Sequence, residues 1–312
     1  MVTIRPLQEA DLDEADRVMR IAFGTFLGLP DPATFMGDGA YVHPRWRMDP
    51  SAAFVAEMEG MVVGSNFATR WGSVGFFGPL SVRPDLWDRG IASRLMEPVL
   101  ARFAAWGTRL AGLFTFAHSP KHAALYQKFG FWPRFLTAIM SCAPAIRGRE
   151  PRWSRYSTVP GSERGALLAE CRILTGAVYD GLDLEREIEA VDAHRLGDSL
   201  LVWDDGALVG LAVCHYGAGT EGGSTSCYVK FAAARPGRQA AEHFTSLLDA
   251  CAAHAAAHRL PRICAGVNLG RHDAYRRMLE HGFRTDRQGV AMHRGNDGGY
   301  NRPEVFVIDD WR

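Results

Sequence analysis

Hydrophobic residues recur at helical spacing in several stretches of the chain, and short apolar runs between them predict strands. A strand is predicted at Val2 to Leu7 and a helix at Glu9 to Phe26. The next stretch, Gly28 to Pro50, is rich in Pro, Gly and Asp, so we expect an irregular loop with a short helix. Ala53 to Glu57 and Met61 to Thr69 predict a hairpin.

The pattern then changes to alternating strands and helices. Gly75 to Val82 predicts an apolar strand interrupted by a Gly-Pro pair, and Gly90 to Trp106 predicts a helix. A strand at Leu113 to Ala117 and a helix at Lys121 to Phe129 follow, and a strand at Phe135 to Cys142 ends this half of the chain.

The second half repeats this order of elements. Its predicted elements are a helix at Ser162 to Thr175, strands at Ser199 to Trp203, Ala207 to His215 and Ser226 to Ala234, a long Ala-rich helix, a strand at Arg262 to Val267 and a helix ending at Glu280. Pro84 and Gly130 are 46 residues apart, and so are Pro236 and Gly282. The equal spacing around the same helix, strand and helix indicates an internal duplication, offset by 152 residues from Pro84 to Pro236.

These patterns predict a fold of the α/β type, in the α+β sense of a mixed sheet. We expect two tandem domains, each a twisted mixed sheet flanked by helices. We place the first domain at 1–143, a polar, turn-rich linker at 144–152, the second domain at 153–300 and a tail at 301–312. The tail contains an apolar strand pattern before its last charged residues.

Length and composition agree with two globular domains. The 312 residues are 47% hydrophobic and 22% charged, and the formal net charge is zero. We therefore expect no nucleic-acid or membrane partner. The six cysteines are scattered without a C-x-x-C pair, and no signal or spanning segment is evident, so a cytoplasmic protein is expected.

One segment has the pattern of an anion site. A strand ends at Val82, Pro84 follows, and Gly90 opens a helix whose first residues are small. Free backbone N–H groups at a helix start favour a phosphate, and Arg89 and Arg94 add positive charge at the rim. Downstream, a second strand end is followed by a helix that carries a Tyr before Gly-Phe.

Together the two segments resemble the GCN5-related N-acetyltransferase (GNAT) superfamily. The run from Val82 to Met96 is similar to its acetyl-CoA pyrophosphate loop, and the run from Ala123 to Phe131 is similar to its later helix motif. Trp87 stands where the family usually has Gln or Arg, and His118-Ser119 stand where it often has Asn. The cofactor-binding residues implied are Leu80, Ser81, Val82, Asp88, Arg89, Gly90, Ile91, Ala92, Ser93, Arg94, His118 and Ser119.

The resemblance implies direct transfer of an acetyl group from acetyl-CoA, as cosubstrate, to an amine. Backbone N–H groups near the end of the strand would stabilise the oxyanion, and Tyr126 would protonate the leaving thiolate. The strand carries no carboxylate at the family's usual base position, so Glu57 is our candidate base. Asp38, His43 and Asp49 stay open as alternatives.

The second half lacks the residues that this chemistry needs. Met278 stands at the position of Tyr126, and either Glu242 or, with a shortened loop, Gln239 replaces Gly90. We expect no acetyl-CoA bound by residues 153–300, which would instead pack on the first domain and wall one side of the substrate cleft. His254 and His258 at i, i+4 have no further ligand at a suitable spacing, so no metal is expected.

The sequence and the resemblance thus predict an acetyl-CoA-dependent N-acetyltransferase that acts on a small-molecule primary amine. A homodimer stays open as its oligomeric state. A mycothiol-synthase-like acylation of an amino-sugar conjugate and a catalytically idle acetyl-CoA-binding module stay open as alternatives. A dinucleotide-dependent oxidoreductase is disfavoured because no G-x-G-x-x-G follows the first strand.

Overall fold

Residues 1–147 and 151–312 are described by a computed structural model of the chain. Within them, fourteen strands form one sheet, with eight α-helices packed against it. The first half supplies strands β1 (Val2–Pro6), β2 (Ala53–Met58), β3 (Met61–Trp71), β4 (Val74–Phe77), β5 (Ser81–Val82), β6 (Leu110–Thr115) and β7 (Phe131–Cys142). Its helices are α1 (Leu12–Phe26), α2 (Val42–Met48), α3 (Ile91–Ala105) and α4 (Pro120–Gln127).

The second half adds the remaining elements. Its strands are β8 (Trp153–Arg155), β9 (Gly197–Asp204), β10 (Ala207–Gly217), β11 (Gly223–Ala234), β12 (Arg262–Asn268), β13 (Arg284–Arg294) and β14 (Val307–Ile308). Its helices are α5 (Gly161–Val178), α6 (Glu185–Ala193), α7 (Ala240–Ala257) and α8 (His272–Glu280). The mixed α/β class predicted from the sequence is confirmed.

The two halves exchange strands in the middle of the sheet. The strand order is β1-β2-β3-β4-β6-β13-β7-β12-β11-β10-β9-β8. Strand β13 of the second half lies between β6 and β7 of the first, and β7 lies between β13 and β12 of the second. Each half therefore completes the sheet of the other.

The 152-residue offset recurs in the register of the strands. In the first half β4 pairs with β6 in parallel, with Val74 opposite Leu110. In the second half β11 pairs with β12 in parallel, with Ser226 opposite Arg262. Both members of the second pair lie 152 residues after those of the first, so the duplication read from the sequence extends to individual residue pairs.

Apolar helix faces cover the sheet. Helix α3 buries Leu95, Met96 and Val99 on the first half of the sheet, and the Ala-rich α7 buries Phe244 and Leu247 on the second. A further cluster joins the halves, because α5 and α6 of the second half pack near Trp71 and Phe76 of the first. The hydrophobic core is thus continuous across the duplication.

Three elements were not predicted from the sequence: α6, β8 and β13. Strand β13 begins with five exposed, mostly polar residues, so it lacks an apolar run there. Its pairing with β6 and β7 specifies its extended conformation instead, which is a long-range effect. In the described part of the chain, no helix is long and apolar enough to span a membrane.

Buried His254 leads to a pH-dependence of stability. Burial, aided by the nearby charges of His258 and Arg155, lowers the pKa of His254 from 6.5 to about 3. Below pH 6.5 His254 therefore binds a proton in the unfolded chain but not in the folded chain. The stability of the fold then falls as the pH falls. We expect a loss of up to about 1.4 kcal/mol per pH unit from this residue in urea unfolding between pH 6.5 and 5.

The replacement His254→Phe should remove the contribution of His254 to the pH dependence of the free energy of unfolding, because the phenyl ring does not titrate. The same change at the exposed His272 serves as the control and should leave the slope as it is. An unaltered acid dependence in His254→Phe would contradict the assignment.

Candidate active site

The site begins where two parallel strands separate. Strand β4 pairs with β6 only from Val74 to Phe76, and the Gly78-Pro79 pair then interrupts it. After the interruption β5 stays on β3, with Val82 opposite Gly64. In the described residues, no strand pairs with the edge of β5 that faces β6. A V-shaped cleft therefore opens between β5 and β6.

The backbone at the end of β5 directs polar groups into this cleft. The Arg83 amide donates to the carbonyl oxygen of Val63 in β3 at 2.9 Å. Because neighbouring residues of a strand alternate between its two edges, the Val82 amide points to the open side. The Val82 carbonyl also faces this side and accepts a 2.7 Å bond from the indole N–H of Trp87. Trp87, which departs from the family pattern, thus forms part of the cleft wall.

Helix α3 points its free N-terminus at the same cleft. Gly90 is the N-cap residue with φ of 77°, and a Cβ there would meet no atom within 4 Å. A left-handed residue facing open space suits glycine, and the first-turn amides have no partner inside the helix. The first turn, Ile91 to Ser93, lines the cleft, so an anion can approach these amides.

An ion pair crosses the mouth of the cleft. The carboxylate of Asp88, before α3, lies 2.6 Å from the ammonium of Lys121 at the start of α4. The ammonium also lies 5.6 Å from the centre of the Trp87 ring. Lys121 was not among the predicted site residues. Its position shortly after a strand end is the sequence signal that could have identified it. Its charge offsets the carboxylate that would otherwise repel a phosphate.

Most of the predicted cofactor-binding residues line one cavity. Those that do are Leu80, Ser81, Val82, Asp88, Gly90, Ile91, Ala92 and Ser93. The other four lie outside its lining: Arg94 donates to the Val2 carbonyl at 2.7 Å, Arg89 is exposed, Ser119 caps α4, and His118 stacks on Phe26. Their contact with a cofactor stays a prediction.

Tyr126 lies on the cavity side of α4. It is buried, and its ring meets Phe77 edge-on at 5.7 Å. Burial raises the pKa of Tyr126 well above 10, so the phenol stays protonated at neutral pH. One turn earlier, His122 also lines the cavity, and burial lowers its pKa. A neutral imidazole that can accept a proton therefore stands beside a phenol that can donate one.

Glu57, our candidate base, lies outside the cavity lining. Its carboxylate lies on β2 and binds the guanidinium of Arg5 on β1, with Nε to Oε2 at 2.7 Å. Strands β1 and β2 form the outer edge of the sheet, beyond β3, so the side chain is remote from the cleft. The role of Glu57 as the base stays a prediction that this position does not support.

The three alternative bases also lie outside the cavity lining. Asp38 accepts bonds from the Ser224 amide, His43 contacts Asp13 at 3.2 Å, and Asp49 caps a short 3-10 turn. All three lie in the α1–β2 connection, and Asp38 and Asp49 also contact the second half, through Ser224 and Arg186. A part for any of them in the reaction stays a prediction.

The second half supplies the opposite wall, as expected from the sequence. The cavity has a volume of about 1040 Å³, and Glu221, Tyr228, Trp311 and Arg312 are part of its lining. The Trp311 ring stacks on Phe76, with centroids 6.2 Å apart and planes at 8°. Phe76 is the last β4 residue paired with β6, so the tail reaches the point where the cleft opens.

Buried charges fix this wall. Arg45 of α2 and Lys230 of β11 bind the Glu221 carboxylate at 3.2 and 3.0 Å. Arg45 also donates to the main-chain oxygens of Gly78 and Arg312. Burial would raise the pKa of Glu221, but the positive charges outweigh it and lower the pKa to about 2. This carboxylate is therefore a weak base and acts as a structural tie.

The second-half counterparts of Gly90 and Tyr126 lack the chemistry of the first-half site. Gln239 is the N-cap of α7, as Gly90 is of α3, which selects the alignment with the shortened loop. Met278 is fully buried. Across residues 1–147 and 151–312, no group of three or more His, Cys, Asp or Glu could hold a metal ion.

The comparisons with known proteins agree with this fold. A putative acetyltransferase from Pyrococcus horikoshii is 14% identical, with 99% of this chain and 95% of that chain covered and a TM-score of 0.71. A GCN5-related N-acetyltransferase from Sphaerobacter thermophilus is 14% identical, with 94% and 95% covered and a TM-score of 0.60. A tandem GNAT protein from the clavulanic acid biosynthesis pathway is 13% identical, with 94% and 98% covered and a TM-score of 0.58. No curated protein matches the sequence significantly.

The duplicated sheet and its V-shaped cleft define a protein with the tandem GNAT fold. Residues 19–131 match the model of the acetyltransferase (GNAT) family. The resemblance read from the motifs is confirmed in these residues, and the described chain as a whole shares the fold of tandem GNAT proteins.

Proposed function

We propose that this protein transfers an acetyl group from acetyl-CoA to a primary amine of a small molecule, in one active site built on its first half. The observation that carries the proposal is the edge of β5 that faces β6, which no strand pairs with in the described residues. Tyr126 and the free N-terminus of α3 line the same cavity as this edge. An edge with free amides suits the amide groups of pantetheine, and the first turn of α3 suits a pyrophosphate.

The residues of the cleft have the chemistry that direct transfer requires. The amine nitrogen bonds to the acetyl carbon, and the bond from that carbon to sulfur breaks. The Val82 amide supplies a donor for the oxyanion formed between these events, and Tyr126 protonates the departing thiolate. His122 is the neutral imidazole in the cavity suited to take the proton that the amine loses.

The pairing of β11 with β14 argues against a second acetyl-CoA site in the second half. The edge of β11 that corresponds to the open edge of β5 is already paired, with Ala232 opposite Ile308 and Ala233 opposite Val307 of β14. A backbone edge that is hydrogen bonded to β14 has no amides left for pantetheine. This supports one cofactor site per chain.

Tyr126→Phe tests the proposal. We expect kcat for acetylation to fall by about 100-fold or more, because the thiolate leaves unprotonated, while affinity for acetyl-CoA is unchanged. The measurement is CoA release with a panel of primary amines, alongside calorimetric binding of acetyl-CoA. The matched control is Tyr156→Phe, another buried tyrosine, which lies outside the cavity lining.

If Tyr126→Phe turned over at the wild-type rate, Tyr126 would not be the acid that protonates the thiolate. Binding of acetyl-CoA without acetylation of any amine would favour the idle binding module instead.

A further inference from the structure

The tail of the chain occupies the second-half counterpart of the cofactor cleft. Under the 152-residue offset, Leu80 to Val82 correspond to Ala232 to Ala234. Strand β10 covers one edge of β11 as far as Ala234, so β14 lies on the edge that faces β12. The tail thus fills the gap that the first half leaves open.

Buried polar contacts hold the tail in that gap. The Asp309 carboxylate accepts bonds from Arg271 at 2.8 Å and from the Tyr300 hydroxyl at 2.5 Å. Asp310 accepts a 3.0 Å bond from the Tyr228 hydroxyl. Because these groups are buried, their loss would leave unpaired polar atoms, and the position of the tail is well specified.

Beyond these anchors the tail enters the cavity of the first half. The Trp311 ring fills the space above Gly112 of β6, where a Cβ would overlap it. The Arg312 guanidinium lies 4.3 Å from the centre of the Tyr228 ring, and its main-chain oxygen is bound by Arg45. Arg312 is therefore fixed in the cavity wall close to the opening of the cleft.

The charged side chains of this wall differ in what they offer to a ligand. Those of Arg45, Glu221, Lys230 and Asp310 are 3%, 0%, 4% and 1% exposed, and each is paired with another charge. The side chain of Arg312 is also paired, with Nε 3.0 Å from Asp310 Oδ2, but it is 23% exposed. The most accessible charged side chain of this cluster is therefore a cation, which favours an anionic group on the acceptor.

A second wall of the cavity is aromatic. Phe23 and Phe26 of α1 lie near Phe35 and Phe116, with centroids 5.5 Å apart for Phe23 and Phe35 and 4.7 Å for Phe26 and Phe116. All four line the cavity and are partly exposed. Such a surface suits a flat apolar body of the acceptor.

We infer that Arg312 is a specificity-determining residue that binds a carboxylate of the acceptor, and that the acceptor is an amine bearing both a carboxylate and an aromatic body, as in aromatic amino acids. A guanidinium binds a carboxylate through two parallel hydrogen bonds, which also orients the amine. The second half then serves the reaction by holding the tail that carries Arg312. This inference rests on the proposed acetyl transfer.

The test compares phenylalanine with phenethylamine, which differ only in the carboxylate. Calorimetry with saturating CoA measures binding without turnover, and acetylation assays follow with both amines. We expect the wild type to bind phenylalanine about 10- to 100-fold more tightly, as a charge-assisted contact implies. In Arg312→Gln the ratio of the two affinities should fall to about one, because the carboxylate loses its partner, and Arg312→Lys should retain part of the preference.

The matched control is Arg302→Gln, an exposed arginine of the same tail, which should behave as the wild type. Equal binding of the two amines, no binding of either, or an equal loss of both in Arg312→Gln would overturn the inference. Acetylation of phenethylamine alone would keep the proposed function and reject the carboxylate subsite. Carboxylate-dependent binding without acetyl transfer to any amine would reject the proposed function and keep the subsite.

Discussion

Replacement of Gly90 by glutamate is expected to abolish binding of acetyl-CoA. Gly90 is the N-cap of α3, and its missing side chain leaves open space at the mouth of the cleft. A glutamate there would set a negative charge beside the amides that we assign to the pyrophosphate, and would compete for them. We expect affinity to fall by at least about 100-fold, since a repelled phosphate loses both hydrogen bonds and charge attraction.

The control separates charge at the cleft from strain in the backbone. Gly107 lies just beyond α3 at its other end, with φ of 64° and no atom within 4 Å of a Cβ. Gly107→Glu therefore carries the same left-handed strain, of about 1–2 kcal/mol, and the same new charge away from the cleft. We expect this variant to bind acetyl-CoA as the wild type does, with one site per chain by calorimetry.

Binding that survives in Gly90→Glu would show that the first turn of α3 does not hold the phosphates. Two sites in the wild type would show that the second half also binds the cofactor despite β14.

The secondary structure near the cleft could be predicted because local sequence determines it. Helix α3 follows from its apolar spacing, and the split of the strand after Phe77 follows from Gly78-Pro79. The offset between the halves could also be read, because two dipeptides keep their spacing. These features need no information about distant contacts.

The charged wall of the cavity could not be predicted, because it joins residues far apart in the chain. Arg45 and Glu221 lie 176 positions apart and are both buried, whereas charged residues are usually exposed. Arg312 enters the site only because β14 pairs with β11. Glu57 has a residue type that suits a base, but the sequence does not show that its strand lies outside the cavity lining.

Because the two halves exchange strands, a fragment of residues 1–147 is expected not to form a soluble, folded monomer. Strand β7 pairs with β13 along Phe131 to Ser141 on one edge and with β12 along Thr137 to Cys142 on the other. Strand β6 pairs with β13 as well. In the fragment, β7 loses both neighbours and β6 loses one, and unpaired strand edges promote aggregation.

The loss of the second half also uncovers core residues. Trp71 and Phe76 are 1% exposed in the full chain and share a cluster with α5, α6 and Trp311. Exposing large aromatic side chains costs about 1.5–3 kcal/mol each, which is a large share of the stability of a domain. We expect the fragment to aggregate, or to lose near-ultraviolet circular dichroism while it stays in solution.

Expression of residues 1–147 together with 151–312 as separate chains is the matched control. The cut leaves every strand of the sheet present and falls next to exposed residues at Ala145 to Arg147. Because each half supplies strands to the sheet of the other, the two chains should assemble into a soluble complex with one acetyl-CoA site. A fragment 1–147 that is soluble, monomeric and able to bind acetyl-CoA by itself would show that the exchanged strands are dispensable, and the second half would then need another reason to exist, such as the acceptor wall that ends in Arg312.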